Sequence, residues 1–178
     1  MNIFRLHNDP VMAASMAIDK HCIKMCLEQT QILHTSLRTH GVTAEWLYKP
    51  FNPKHPSCKW AMETRSNFQW VVKHGLALCD EYTRRYGKIH KCRDKIVLAM
   101  PHSYAIPVGP ETKQLLAMPD QFRSDDVVDS YRKYYAGSKF RFASWKSPSK
   151  QPEWWSEYRE YVVKHNLEVV NDKNDGVI

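Results

Sequence analysis

Glu28 sits in the most chemically loaded stretch of the chain. His21, Lys24, Glu28, Gln31 and Thr35 recur at steps of three and four residues, so on a helix they share one face. Ile18, Cys22, Met25, Cys26 and Leu33 fall on the other side and read as the face that packs. The pattern Asp19-x-His21-x6-Glu28, with Lys24 inside it, brings together carboxylate, imidazole and cation. That set suits acid–base work or the stabilisation of a developing positive charge. The plainer reading is a solvated polar face on which Lys24 and Glu28 pair one turn apart.

A second concentration of chemistry lies at residues 130–152. This segment has no acidic residue, yet it holds six basic ones (Arg132, Lys133, Lys139, Arg141, Lys146, Lys150) and six aromatics (Tyr131, Tyr134, Tyr135, Phe140, Phe142, Trp145). Basic groups neutralise phosphates and aromatic faces stack on exposed bases. In the competing reading the aromatics are core and the lysines only decorate a surface. Arg84, Arg85, Lys88, His90, Lys91 and Arg93 form another basic cluster at a predicted helix end, where the helix dipole by itself favours cations. A formal charge of +7 and a pI near 9.1 favour a polyanionic partner.

Helices must position these groups. Residues 1–8 read as an extended arm. Asp9-Pro10 starts a helix, with Asp as cap and Pro at the first helical position; the pattern predicts one helix to about Thr39, stopping before Gly41. Residues 40–54 form a loop with Pro50 and Pro53 as breakers. His55-Pro56 opens a second helical region whose main segment runs from Ser66 to Tyr86 and ends at Gly87. Phe68, Val72, Gly75, Cys79, Tyr82 and Tyr86 make its buried stripe, and Gly75 permits close helix approach. Lys91–Met100 reads as a short helix, and the prolines between 101 and 120 as a long irregular connection. Ser124, Asp125 and Asp126 cap a helix to about Ala136, closed by Gly137. A final helix starts near Pro152. The expected architecture is mainly α: a compact single-domain helical bundle with long irregular connections. It spans residues 1–165, with a polar, frayed tail at 166–178.

Arg5, His7, Asn8 and Asp9 interrupt any early apolar run, so no secretory leader is expected. Nor is a membrane span, because no run of about 18 apolar residues occurs. Five cysteines without a CxxC pair fit free thiols in a reducing compartment, hence a cytoplasmic protein. Cys22 and Cys26 share an arc from which His21 turns away, and no second ligand cluster shows, so no metal is expected. No P-loop, GxGxxG or Ser-His-Asp signature appears, so no cofactor is expected either. No feature names a protein partner.

The Asp19-x-His21-x6-Glu28 spacing resembles the first helix of pyrimidine-dimer DNA glycosylases of the phage endonuclease V type. A broader bacterial branch of that group is similar in another way. It has an Asp-Lys helix start, a Lys four before the Glu and a later Asn-His-Pro. Here these are Asp19-Lys20, Lys24 and Glu28, and Lys54-His55-Pro56, where Lys replaces Asn. The run from Gly75 to Tyr86-Gly87 agrees in character. The likeness covers roughly residues 1–90 and suggests a phage or viral branch with the same opening.

The resemblance implies double-stranded DNA as partner, a flipped-out pyrimidine nucleotide, and an amine that attacks C1′ of the sugar to give a Schiff base. It makes Glu28 catalytic, with His21 beside it. Lys20, Lys24, Arg84 and Arg85 would hold phosphates. His55, Lys88, Arg132, Lys133, Lys139 and Arg141 extend the expected nucleic-acid surface. An α-amine, with an ordinary pKa of about 7.7–8.0, suits the nucleophile's role. The phage enzymes expose a small residue after loss of the initiator Met, whereas residue 2 here is Asn, which disfavours that removal. The amine is therefore left open among Met1, Asn2 and Lys24. Two other readings stay open: a transferase or other enzyme acting on modified pyrimidines in phage DNA, and a non-catalytic DNA-binding protein.

Overall fold

In the computed structural model, which describes residues 1–169, seven α-helices and three short 3-10 turns make up the regular structure. No strand occurs among the described residues. The helices are α1 (Pro10–Ser15), α2 (Asp19–Thr39), α3 (Pro56–Glu63), α4 (Arg65–Tyr86), α5 (Arg93–Ala99), α6 (Val127–Ser138) and α7 (Trp155–Lys164). The expected mainly-α domain is what forms.

The start of α1 follows the local chemistry. Asp9 Oδ1 accepts from the backbone N–H groups of Val11 and Met12 at 2.9 Å each, and Pro10 occupies the first turn. The helix does not run through to Thr39, however. It stops at Ser15, and Ile18 is extended (ψ 157°) before α2 begins. Nothing local forces this, since Met16-Ala17-Ile18 contains neither Pro nor Gly. Partners far along the chain take the freed backbone groups instead. Trp145 Nε1 donates to Met16 O (3.0 Å), Ile18 N donates to Tyr135 Oη (3.3 Å) and Asp19 N donates to Ser144 O (2.9 Å). With its polar groups satisfied elsewhere, the break costs little.

α2 and α4 cross at the centre of the molecule. A Cβ on Gly75 would lie 3.0 Å from Ile96 Cδ1 and 3.2 Å from Gln29 Cβ, so the missing side chain permits the approach its position suggests. α4 ends at Gly87, which takes a left-handed conformation (φ 64°) and whose N–H donates to Thr83 O at 2.8 Å.

The N-terminal arm packs along this core, with Ile3 and Leu6 fully buried. It has no strand to pair with, so side chains satisfy its backbone. Gln114 Nε2 donates to Ile3 O (2.8 Å), Arg132 Nε to Leu6 O (3.0 Å) and Trp70 Nε1 to Asn8 O (3.0 Å).

α6 runs through Gly137 to Ser138 rather than closing at it, because Gly137 is a close-packing point. A Cβ there would meet Phe122 Cε1 at 2.5 Å. The expected fraying from Asn166 also needs correction. Val169 N donates to Gly137 O (2.9 Å), Arg159 pairs with Glu168 (2.6 Å), and Leu167 packs on the core. Residues 170–178 of the expected tail lie outside the described residues.

Candidate active-site cavity

The polar stripe of α2 is not a solvated face. His21 and Glu28 are 7% and 6% exposed, and Thr35 is fully buried, accepting from Phe51 N at 3.0 Å. His21, Lys24 and Glu28 face a cavity of about 300 Å³. The arm closes one side with Met1, Asn2 and Phe4. His55 and Pro56 at the start of α3 close another, and Leu116–Pro119, Arg123 and Tyr134 complete the wall.

Glu28 is the hub. Its Oε2 accepts the Asn2 N–H at 2.9 Å and lies 3.7 Å from the Met1 α-amine. Its Oε1 lies 3.5 Å from Lys24 Nζ, one turn earlier on the same helix. Two aliphatic amines thus flank one buried carboxylate. The arm is fixed in this register by Asn2. Its Nδ2 donates to Ala117 O (2.8 Å), its Oδ1 accepts from Tyr131 Oη (3.0 Å), and its carbonyl accepts from Gln29 Nε2 (3.0 Å).

His21 stacks on Phe4, with ring centroids 4.5 Å apart and planes 18° from parallel. Its Nδ1 lies 2.8 Å from Tyr135 Oη. Because that oxygen accepts from Ile18 N, its own proton is available for Nδ1, which places the imidazole proton on Nε2. Burial holds the imidazole well below its ordinary pKa, and the charges of Lys139, Lys24 and Lys20 push the same way. His21 is therefore a neutral imidazole at pH 7. Burial also lowers His55, and the neighbouring α-amine cation adds to the effect. Its Nδ1 accepts the Ser57 N–H at 3.1 Å, capping α3.

The structure divides the expected nucleic-acid residues. Lys20 is exposed, with Nζ 4.8 Å from the Phe142 ring centroid, and Lys24 and His55 are partly exposed at the cavity. Lys88 and Arg141 are exposed elsewhere on the surface. Arg132 and Lys133 are half-buried; the first holds Leu6 O, and the second pairs with Asp129 at 2.7 Å. Arg84 is exposed but grips Glu81 (2.8 and 2.6 Å) and Ser149 (2.7 Å).

Two expectations are overturned. Arg85 is 3% exposed and bonds Glu81 (2.7 Å), Asp19 (2.9 Å) and Ser15 O (3.2 Å), so it ties α4 to α2 and presents nothing to a phosphate. Lys139 is 1% exposed, with its ammonium 4.9 Å from the Tyr134 ring centroid. Its charge acts inside the fold, on His21. Likewise Tyr131, Tyr134 and Tyr135 are fully buried core rings rather than stacking platforms for bases. Arg123, Tyr134 and the 116–119 segment were missed as cavity walls. The 116–119 segment and Arg123 lie outside helices, where no periodicity marks them, and Tyr134 lies on α6 among buried rings; the long proline-rich connection itself was a signal.

No protein-family model, curated protein or solved structure matches this chain.

Proposed function

We propose that this protein binds double-stranded DNA and acts on damaged or modified pyrimidine nucleotides as a glycosylase with AP-lyase activity. One observation carries the reading: aliphatic amines lie within 3.7 Å of the buried Glu28 carboxylate, at the wall of a cavity. The basic surroundings of that cavity, with Lys20 and Lys24 on α2 and Arg123 opposite, suit a phosphate backbone.

In the proposed reaction the amine first gives its proton to Glu28. The nitrogen lone pair then forms the bond to C1′ as the C1′–base bond breaks, and the base leaves as an anion that takes up a proton. The bonded nitrogen loses a second proton to solvent, and Glu28 passes its proton to O4′ as the C1′–O4′ bond breaks, giving the iminium and a ring-opened sugar. Glu28, again a carboxylate, removes a proton from C2′, and the 3′ phosphate leaves by β-elimination. Neutral His21 is suited to hydrogen bonding in the cavity rather than to repelling the iminium. The Met1 α-amine and Lys24 Nζ are the two candidate nucleophiles. Asn2 N, already 2.9 Å from Oε2, becomes a third if Met1 is removed.

The test is borohydride trapping on duplexes carrying an abasic site or a thymine dimer, with wild type beside Glu28→Gln. The expected result is a covalent adduct with strand cleavage. Glu28→Gln should lower the cleavage rate by about 10²–10⁴-fold, and peptide mapping will name the amine. Salt-sensitive binding without any adduct would refute the Schiff-base reaction and leave the transferase or pure binder.

A further inference from the structure

Three metal-ligand side chains converge on the far side of α2 from the cavity. Cys26 on α2, Cys79 on α4 and His90 in the turn after α4 each offer a donor atom, and these atoms all lie within 4.8 Å of one another. From the structure we infer that Cys26, Cys79 and His90 form a binding site for zinc or a chemically similar thiophilic divalent cation.

The fold assembles the group for identifiable reasons. Gly75 lets α4 approach α2 at Gln29. One turn further along α4 this crossing brings the Cys79 thiol within 4.8 Å of the Cys26 thiol, which donates to Cys22 O at 3.2 Å. The left-handed turn at Gly87 then reverses the chain and returns His90 to the same place. The imidazole is oriented from both sides. The Ile23 carbonyl hydrogen-bonds the ring, and Nδ1 accepts the Cys92 N–H at 3.2 Å. In this geometry both ring nitrogens are engaged by the backbone, so ligation exchanges one of these hydrogen bonds for the bond to the ion, and the bond that remains orients the ring.

Charge and chemistry agree with the choice of ion. Two thiolates and one neutral imidazole around a divalent cation sum to zero, which a buried site tolerates where a net charge would be costly. Sulfur and imidazole donors select zinc over magnesium or calcium. Coordination forms two S–M bonds and one N–M bond, and two thiol protons pass to solvent. Three protein ligands leave a fourth position for water. His90 is half-exposed beside the exposed Ile23, which gives the ion a path from solvent.

The site is tested on tag-free, reduced full-length protein by titrating Zn²⁺ against a chromophoric chelator, and by recording the absorption spectrum with Co²⁺. One equivalent of Zn²⁺ should bind. Co²⁺ should give the sulfur-to-metal charge-transfer and intense d–d bands of a tetrahedral thiolate site. His90→Gln lies in a turn and spares the helix crossing; it should weaken binding by at least about tenfold. Cys79→Ser should abolish the charge-transfer band, while Cys58→Ser should change nothing. Circular dichroism establishes that each variant is folded. The inference is overturned if the wild type takes up no Zn²⁺, or if His90→Gln binds as tightly as wild type. Air oxidation of Cys26 and Cys79 to a disulfide in protein that never binds Zn²⁺ would overturn it too.

Discussion

Replacing Arg85 by Met separates a structural cation from a DNA-binding one. The guanidinium makes two charge-assisted hydrogen bonds, to Glu81 (2.7 Å) and Asp19 (2.9 Å), and a third to Ser15 O (3.2 Å). Met keeps much of the stem's packing and loses all three. Removing one partner of a buried ion pair costs about 3–5 kcal/mol when the other is stranded. Here neither carboxylate is. Glu81 keeps Arg84 and Ser149, and Asp19 keeps Ser144 Oγ (2.8 Å) and Lys146 N (2.9 Å). The expected loss is therefore at the lower end, about 3 kcal/mol, or roughly 6–12 °C in melting temperature for a chain of this size.

The loss should also depend on pH. Burial pushes Asp19 and Glu81 up, but their hydrogen bonds and Arg85 outweigh it and hold both below their ordinary values of 3.8 and 4.5. Depressed carboxylates contribute stability above their unfolded pKa and lose it as pH falls through the folded value. The gap between wild type and variant should accordingly narrow below about pH 4. Urea unfolding followed by circular dichroism measures the gap, and DNA affinity at several salt concentrations measures the counterions released. A loss under about 1 kcal/mol would refute the structural role, and a salt slope reduced by about one ion would show that Arg85 faces DNA.

Buried histidines should make the fold acid-sensitive. Burial, with help from Arg5, lowers His74 to about 3, and burial lowers His34 to about 4. The unfolded chain then binds protons that the folded chain refuses, so stability falls as pH drops below about 6.5, by about 2 kcal/mol for His74 alone at pH 5. His74 Nδ1 has no partner and its ring stacks on Trp70 at 5.0 Å. His74→Phe should therefore fold and flatten the pH profile between 7 and 5; an unchanged profile in urea titrations would sink the assignment. Gly137→Ala should destabilise by about 1–2 kcal/mol, because the clash with Phe122 outweighs the gain in helix propensity; a higher melting temperature would contradict it. Tyr135→Phe should cost about 2 kcal/mol by stripping Ile18 N and His21 Nδ1 of their shared partner, and chemical denaturation would expose a neutral outcome.

The sequence makes the middle of the site legible and its edges obscure. Helical periodicity alone placed His21, Lys24 and Glu28 on one face, because that geometry is local. It could not tell that the face is buried, since the cover comes from the N-terminal arm and α3 and, more than 80 positions away, from residues 116–119 and Tyr134. The break after Ser15 has the same origin: its partners are Tyr135, Ser144 and Trp145. Arg85, Lys139 and the three tyrosines were misread because composition carries no direction. A segment rich in cations and aromatics looks alike whether its groups point outward, as Arg141 does, or inward, as Lys139 and the three tyrosines do. Cys26 likewise pairs with Cys22 in the sequence but shows no second ligand cluster there, because Cys79 reaches it only through the α2–α4 crossing.

The surroundings of Glu28 are hard to explain as a stability device. Its carboxylate is 6% exposed and faces two amines and one backbone N–H. Taking such charges out of water costs several kcal/mol per ion, and apolar packing of the same volume is often as stable or better. The fold nevertheless commits Asn2, Gln29, Ala117 and Tyr131 to holding the arm in this register. Pre-positioned charges around a cavity fit the proposed chemistry better than packing alone. The residues that carry the two amines differ in exposure. Lys24 is about a third exposed and can reach solvent or a phosphate, whereas the Met1 side chain is buried and the exposure Met1 retains falls on its backbone. On the proposed reading either amine can serve, and peptide mapping of the trapped adduct decides between Met1 and Lys24.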